Sequence, residues 1–217
     1  MKDFDAVVFD MDGVIFDSER ATMDCWIELA EKYSIPDIQT PYYKCIGVNA
    51  AMTRKIIFDT YGEDFPYDRY AAEASRMYHD KYDGGRLPVK KGAGEILEFL
   101  KKNNKKIALA SSSRKETVVS QLRDAGFLHF FDEIVTGDMV EKSKPEPDIF
   151  LKACEKLGIL PQRSYAIEDS FNGIRAAYSG KLKAIMVPDI LPADEEMRQK
   201  AEAVLESLIA VADYLNA

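Results

Sequence analysis

Side chains that titrate near neutral pH are scarce in this sequence. Among its 217 residues there are two histidines, His79 and His129, and neither belongs to a recognisable partner motif. The three cysteines, Cys25, Cys45 and Cys154, lie in apolar helical contexts. An odd number of cysteines without a secretion signal predicts reduced, packed thiols in the cytoplasm. We therefore expect any acid–base chemistry to fall to carboxylates.

Long apolar runs and basic clusters are also absent from the sequence. No run approaches the ~20 apolar residues of a membrane span, and the segment Met1-Lys2-Asp3 does not resemble the start of a signal peptide. The formal net charge of −8 argues against nucleic acid and against an anionic membrane surface as partners. The pair Gly92-x-Gly94 lacks a preceding strand and a third glycine, so a dinucleotide fingerprint is not supported. We expect a cytoplasmic protein with no nucleic-acid and no membrane partner.

What the sequence does contain is an alternation of short apolar runs with helical patterns. Ala6–Phe9 is apolar and too short for a helix, which predicts a strand buried on both faces. Further strands are predicted at 106–110, 133–135, 164–167 and 184–187, with helices between them. This order predicts an α/β protein with a doubly wound parallel sheet. A last helix is predicted from the apolar residues Leu205, Leu208, Ile209, Ala212 and Leu215.

Residues 17–84 interrupt this alternation. Helical spacing recurs through the segment, as in Trp26, Leu29 and Tyr33, and no strand pattern stands out. The segment ends at Gly84-Gly85, which suits a flexible joint. We therefore predict two domains: an α/β core formed by residues 1–16 and 85–217, and an inserted, all-helical cap formed by residues 17–84.

Polar residues follow the predicted strands directly. Asp10 and Asp12 come after the first strand and Ser111 after the second. Thr136–Asp138 follows the third strand, and the pair Glu168-Asp169 follows the fourth. The carboxyl ends of parallel strands lie at one edge of an open sheet, where ligands bind. We therefore predict that these groups converge in one crevice.

The two acidic pairs predict a cation site. Residues i and i+2 of an extended strand face the same way, as Asp10 and Asp12 would, and clustered carboxylates usually hold a cation. Oxygen ligands of this kind suit Mg²⁺. A calcium loop does not fit, because Val14 stands at its fifth position and Ile15 stands where that loop needs glycine. Two alternatives stay open: a solvated loop for the first pair, and a helix N-terminus that favours acids for Glu168-Asp169.

An anion site is predicted beside the acids. Ser111-Ser112-Ser113 joins a strand to a helix, where hydroxyls and backbone N–H groups can bind an anion. Capping of that helix would explain one of these serines equally well. Lys142 and Lys144 lie in a loop whose prolines restrict their neighbours, and this loop could hold one lysine inward to neutralise a phosphate. The alternative is a solvated lysine, the usual state of this residue type.

At these residues the chain resembles the haloacid dehalogenase-like superfamily, in the branch of β-phosphoglucomutase and small sugar-phosphate phosphatases. Asp10–Ser18, with the sequence DMDGVIFDS, is similar to the first family motif, and Ser111 matches the second. Lys144 within Lys-Pro-Glu-Pro-Asp matches the third motif, and Glu168–Gly173 matches the fourth. The order and spacing of the four motifs are specific, whereas any one alone is weak. The resemblance implies a Rossmann-like core with a helical cap after the first strand.

The resemblance also implies roles for these residues. Asp10 would attack the phosphoryl group and form an aspartyl-phosphate, while Asp12 would protonate the leaving alcohol and later deprotonate water. The metal Mg²⁺ would bind Asp10, the backbone carbonyl of Asp12, and Asp169. Glu168 would be a further metal ligand or would support the ligands. The residues that would hold the phosphoryl oxygens are Ser111, Ser112 and Lys144.

Departures from the family pattern bear on the reaction. Dehalogenating members lack the second aspartate, so Asp12 favours phosphate chemistry. Mutases of this branch carry a histidine where Thr22 stands and an arginine where Asn49-Ala50 stands, so this chain resembles the hydrolases more. We predict a monomeric Mg²⁺-dependent phosphatase whose partner is a small phosphorylated metabolite such as a sugar phosphate. The alternatives are a phosphosugar mutase and a catalytically inactive binding or regulatory protein on the same fold.

Substrate specificity is predicted to reside in the cap. The candidate segment is the turn Cys45–Asn49, in which Gly47 is the predicted substrate-binding residue. Arg54 lies nearby and is a second candidate, for which a surface salt bridge is the alternative role.

Overall fold

The first predicted strand, β1 (Ala6–Phe9), lies inside the sheet of the structure, a computed structural model that describes residues 1–48 and 50–217. All four side chains are fully buried. The strand pairs in parallel with β2 (Lys106–Ser111) on one side and with β4 (Ser164–Glu168) on the other. An apolar strand covered on both faces is what a parallel α/β sheet requires. The other strands are β3 (Glu133–Thr136), β5 (Lys183–Met186) and β6 (Ala203–Val204).

The sheet order brings the predicted polar groups to one edge. Six strands of the described residues form a parallel sheet in the order β3-β2-β1-β4-β5-β6. The connections run outward in both directions from β1, so the switch point of the sheet lies there. Phe9 is in register with Leu109 of β2 and Ile167 of β4. The residues after Phe9 therefore lie beside Ser111 and Glu168, and the predicted parallel α/β fold is confirmed.

Helices flank the sheet, and on one face Phe150 packs with Val8, Ala108 and Ala166 from three neighbouring strands. Among the described residues, none of the helices combines the length and the apolar character that crossing a membrane requires. The helices that the structure describes are α1 (Ser18–Tyr33), α2 (Gln39–Cys45), α3 (Ala50–Tyr61), α4 (Tyr67–Tyr82), α5 (Ala93–Lys102), α6 (Lys115–Asp124), α7 (Asp148–Leu157), α8 (Phe171–Ser179), α9 (Glu195–Lys200) and α10 (Leu208–Asn216).

The chain divides into two compact units. Met1–Asp17 and Val89–Ala217 form the unit that contains the sheet, and Ser18–Pro88 forms the other. The described residues of this second unit contain α1 to α4 and no strand. Its core is built around Trp26, whose backbone carbonyl accepts a hydrogen bond of 2.5 Å from the hydroxyl of the buried Tyr70. The role of this helical unit as a cap stays a prediction.

The prediction for the carboxyl-terminal segment was wrong in part. Leu205 does not belong to the last helix, because its N–H donates to the carbonyl of Met186 and continues the β5–β6 pairing. The helix α10 begins at Leu208, and the Ser207 side chain caps it by accepting from the N–H of Ala210. Neither β6 nor α9 was predicted, since two and six residues are too few to show a period.

Candidate active site

Asp10 and Asp12 lie at the carboxyl end of β1. The N–H of Asp10 donates to the carbonyl of Ile167 at 2.9 Å and extends the pairing of β1 with β4. The chain then turns sharply, because the N–H groups of Ile15 and Phe16 both donate to the carbonyl of Met11. Asp10 is only 6% exposed, so this carboxylate is buried and must be compensated.

Lys144 supplies part of that compensation. Its Nζ donates to Asp10 Oδ1 at 2.5 Å, to Glu168 Oε1 at 2.6 Å and to the carbonyl of Ala110 at 3.1 Å. The Lys144 side chain is 8% exposed. The alternative of a solvated loop lysine is therefore wrong, and the structure brings Lys144 together with both acidic pairs.

Glu168 is held by donors on both of its oxygens. While Oε1 accepts from Lys144, Oε2 accepts from the N–H groups of Asp169 and Ser170, each at 3.0 Å, and from the Ser170 hydroxyl at 2.9 Å. The Ser170 hydroxyl in turn accepts from the N–H of Gly173 and caps α8. The start of α8 and the Glu168 carboxylate are thus parts of one hydrogen-bonded structure. The sequence left open a cation site or a helix N-terminus for this acid, and Glu168 lies in the acidic group while it also accepts from the helix start.

Three carboxylates form a group that could hold a metal ion. Oxygens of Asp10, Glu168 and Asp169 all lie within 4.8 Å of one another, and all three residues are buried. Gly13 makes room for the group: its φ is +78°, and a Cβ atom there would lie 2.3 Å from Asp169 Oδ2. A buried donor set made of carboxylate oxygens fits a hard divalent cation such as Mg²⁺.

The charges of this group act on one another. Burial raises the pKa of Asp10 well above its ordinary value; Lys144 opposes this rise, and Glu168 and Asp12 add to it. Burial acts to lower the pKa of Lys144, but Asp10 and Glu168 outweigh it, so this pKa is raised and the lysine stays charged. One ammonium group among several carboxylates leaves excess negative charge, which a cation would compensate.

The serines after β2 face Asp12. Ser111 is fully buried, and its hydroxyl lies 3.4 Å from Asp12 Oδ2, while the Ser113 hydroxyl donates to the same oxygen at 3.1 Å. Ser112 is exposed. Capping does not explain these serines, because the N-cap position of α6 is Arg114, which makes no side-chain capping bond.

Two site residues were missed although the sequence carries signals for them. Alternation along an extended segment places Ser111 and Ser113 on the same side, and would have selected Ser113 instead of Ser112. Ser170 and Gly173 have the spacing of an N-cap and its third helical residue, which marks the start of α8.

The predicted segment Thr136–Asp138 does not join the acidic group. The Thr136 hydroxyl donates to Asp138 Oδ1 at 2.5 Å, and Asp138 is exposed.

The predicted specificity residues belong to the helical unit, Ser18–Pro88. Gly47 lies in the turn after α2 with a φ of 72°, and Asn49 lies outside the described residues. Arg54 pairs with Asp68, which is the surface salt bridge that the sequence left open. The Thr22 hydroxyl donates to the carbonyl of Ser18 at 2.9 Å within α1. The substrate-binding role of Gly47 stays a prediction.

A substitution at Gly173 tests how tightly the acidic group is built. A Cβ atom at Gly173 would lie 1.8 Å from Glu168 Oε1, so Gly173→Ala is expected to displace the Glu168 carboxylate and destabilise the fold by about 2 kcal/mol. The matched control is Gly94→Ala, also in the first turn of a helix, where the nearest atom would be 3.8 Å away. That variant should gain up to about 1 kcal/mol. Denaturant unfolding of both variants measures this, and equal responses would contradict the described packing.

The chain is similar to one family model, to known proteins and to solved structures. A model described as haloacid dehalogenase-like hydrolase matches residues 7–187. The chain is 31% identical over 186 residues to the phosphorylated carbohydrates phosphatase of Thermotoga maritima, with 83% of each chain covered. It is 33% identical over 214 residues to β-phosphoglucomutase of Bacillus subtilis, covering 94% of this chain and 93% of that protein. The crystal structure of β-phosphoglucomutase from Clostridium difficile is 26% identical, with a TM-score of 0.74 and coverage of 98% and 97%.

Proposed function

The chain belongs to the haloacid dehalogenase-like hydrolase family, and from this premise we propose that it is a Mg²⁺-dependent phosphatase of a small phosphorylated carbohydrate. The observation that carries the proposal is the buried carboxylate of Asp10, held by Lys144 at the end of β1 beside Glu168 and Asp169. A nucleophilic carboxylate has to be held in one orientation, away from bulk water and next to positive charge. The buried Asp10, bonded to Lys144, meets these requirements.

In the proposed reaction Asp10 is the nucleophile. A carboxylate oxygen of Asp10 bonds to phosphorus while the bond from phosphorus to the leaving oxygen breaks, and Asp12 gives that oxygen a proton. Water then attacks the phosphorus, Asp12 takes the proton of the water, and the bond to Asp10 breaks to release phosphate. Because Lys144 holds Asp10 Oδ1, the carboxylate has a fixed orientation before substrate arrives.

The phosphoryl oxygens need positive charge and hydrogen-bond donors. Lys144 and the hydroxyl of Ser111 supply these in the proposal, together with groups of Ser112 in the loop that follows β2. Mg²⁺ would be held by Asp10, Asp169 and the carbonyl of Asp12, and when bound it would neutralise charge on the phosphoryl oxygens. We assign Glu168 chiefly to holding Lys144 and the start of α8, because donors already occupy both of its oxygens.

A phosphosugar mutase is the second candidate, since one relative is named β-phosphoglucomutase. Hydrolysis is favoured because Thr22, which stands where mutases of the branch carry a histidine, has no group that titrates near neutral pH. Its hydroxyl donates within its own helix. Incubation with a hexose 1-phosphate and a small amount of the matching bisphosphate separates the two: free phosphate indicates the phosphatase, whereas hexose 6-phosphate formed in excess of the bisphosphate and without free phosphate indicates the mutase.

The test of the proposed function measures phosphate release and metal binding independently. Purified protein is assayed with p-nitrophenyl phosphate and a panel of sugar phosphates, with Mg²⁺ or with EDTA. We expect turnover with Mg²⁺ and a loss of at least about 100-fold in EDTA. Calorimetric titration of Mg²⁺ should show binding to the wild-type protein and weakened binding to Asp169→Asn. A folded protein that turns over none of these esters would support the inactive binding protein instead.

A further inference from the structure

The Ser113 hydroxyl makes a contact that the proposed chemistry has not used. It donates to Asp12 Oδ2 at 3.1 Å, which is shorter than the 3.4 Å from Ser111 to the same oxygen. We propose that Ser113 is a positioning residue, which orients the carboxyl group of Asp12 for proton transfer to the leaving oxygen. This inference rests on the proposed function, because it assigns a task to a neighbour of the proposed acid.

The loop that carries Ser113 is fixed from two sides. Within the loop, the N–H of Ser113 donates to the Ser111 hydroxyl at 3.1 Å. From the neighbouring strand, the N–H of Gly137 donates to the Ser113 carbonyl at 3.3 Å. A Cβ atom at Gly137 would lie 2.4 Å from the Ser112 carbonyl oxygen, so glycine permits this close approach of the two segments. The backbone that aims Ser113 is therefore held in place.

The end of β3 completes this support. The carboxylate of Asp138 accepts a hydrogen bond from the Thr136 hydroxyl and another from the backbone N–H of Lys115, and both lower the pKa of Asp138. Lys115 is the first residue of α6, so Asp138 ties β3 to the helix that follows the serines. The motif Thr136–Asp138, which lies away from the acidic group, thus acts on the site through the position of Ser113.

The contact has a specific chemical consequence. With Oδ2 of Asp12 engaged as an acceptor, the proton to be transferred is carried on the other oxygen, Oδ1. When the bond from phosphorus to the leaving oxygen breaks, its electron pair goes to that oxygen, and the Asp12 proton neutralises it. A nitrophenolate is a stable anion and needs this proton little, whereas phenolate needs it more. Loss of the Ser113 contact should therefore slow the poorer leaving group selectively.

The experiment compares kcat/KM for p-nitrophenyl phosphate and phenyl phosphate, which differ chiefly in the leaving group. Since kcat/KM reports the steps up to aspartyl-phosphate formation, later hydrolysis does not mask the effect. We expect Ser113→Ala to lose about tenfold with phenyl phosphate and less than about twofold with p-nitrophenyl phosphate. Ser113→Thr keeps the hydroxyl and should restore most of the loss. Ser120→Ala, an exposed serine of α6, is the matched control and should change neither value.

Other outcomes would overturn the inference. Equal losses with both esters would mean that Ser113 binds the phosphoryl group or supports the fold, and unchanged values would mean that its contact with Asp12 has no part in proton transfer. Failure of the threonine variant to recover would exclude the hydroxyl as the cause. A wild-type protein that cleaves neither ester would overturn the proposed function, and this inference with it.

Discussion

Asp10→Asn is expected to lower phosphate release from p-nitrophenyl phosphate by about 10⁴-fold or more, the largest effect among the substitutions that we predict. The amide is nearly the same size as the carboxylate but cannot form the aspartyl-phosphate, so the reaction loses its covalent route. Residual turnover near the wild-type rate would show that another group attacks the phosphorus.

Asp10→Asn should be at least as stable as the wild-type protein, so unfolding would not explain a loss of activity in this variant. Asp10 lies within 4.8 Å of two other carboxylates, and Lys144 is the single cation in the contacts described for Asp10 and Glu168. Removing one negative charge relieves repulsion in a buried group. We therefore expect Asp10→Asn to unfold at a temperature equal to or above that of the wild-type protein in EDTA, as often happens when a strained catalytic group is removed.

The pH dependence of this difference follows from the pKa of Asp10, which burial raises in the folded state. A raised carboxyl pKa contributes stability that is fully present below the unfolded value of about 3.9 and is lost as the pH rises through the folded value. The variant has no such titration. The gap in melting temperature between Asp10→Asn and the metal-free wild-type protein should therefore widen as the pH rises above this unfolded value, until the folded carboxyl group is fully ionised. A gap that narrows would contradict the raised pKa.

The control for these measurements is Asp5→Asn. Asp5 immediately precedes β1 at the opposite end from Asp10, and its partner is the Arg163 side chain. Its loss should weaken an exposed ion pair and leave turnover unchanged. A large loss of activity in this variant would show that any charge change near β1 disturbs the site, and the result for Asp10→Asn would then not identify the nucleophile.

The main elements of the fold could be predicted from local patterns, because β1 to β5 are apolar runs and their neighbours have helical spacing. The sequence also predicted that Asp10, Ser111 and Glu168 come together, since the carboxyl ends of parallel strands meet at one edge of the sheet. Elements without enough residues to show a period were missed. The two-residue strand β6 is one case, and its absence from the prediction led to the assignment of Leu205 to the last helix.

The orientation of the side chains could not be predicted from the sequence, because it depends on tertiary contacts. Nothing local separates Lys144 from Lys142, yet Lys142 is exposed and the Lys144 side chain is 8% exposed between two carboxylates. The same holds for Glu168, whose donors come from the start of α8 and from a loop 24 residues away. The sequence identified which residues gather in the site but not which oxygen each donor would reach.

Lys144→Met is expected to have the second-largest effect and to change both activity and stability. Methionine keeps an unbranched apolar stem like that of lysine but lacks the ammonium group that bonds to Asp10 and Glu168. Removing one partner of a buried ion pair leaves uncompensated charge, which costs about 3 kcal/mol of unfolding free energy. Loss of a donor to the phosphoryl oxygens should also lower kcat/KM by about 10³-fold. Lys142→Met, in the same loop but exposed, should change stability by less than about 0.5 kcal/mol.

A double variant shows whether this cost arises from the stranded carboxylates. If it does, Glu168→Gln in the Lys144→Met background removes one of the uncompensated charges, and the double variant should be more stable than the sum of the single effects by about 1–2 kcal/mol. Activity should not return, because the lysine is still missing. Strict additivity in urea unfolding would mean that Lys144 stabilises the fold through contacts other than its pairing with Glu168, such as that of its ammonium nitrogen, which lies 5.0 Å from the centroid of the Phe150 ring. The ion pairs of Lys144 would then not account for the fixed orientation of Asp10.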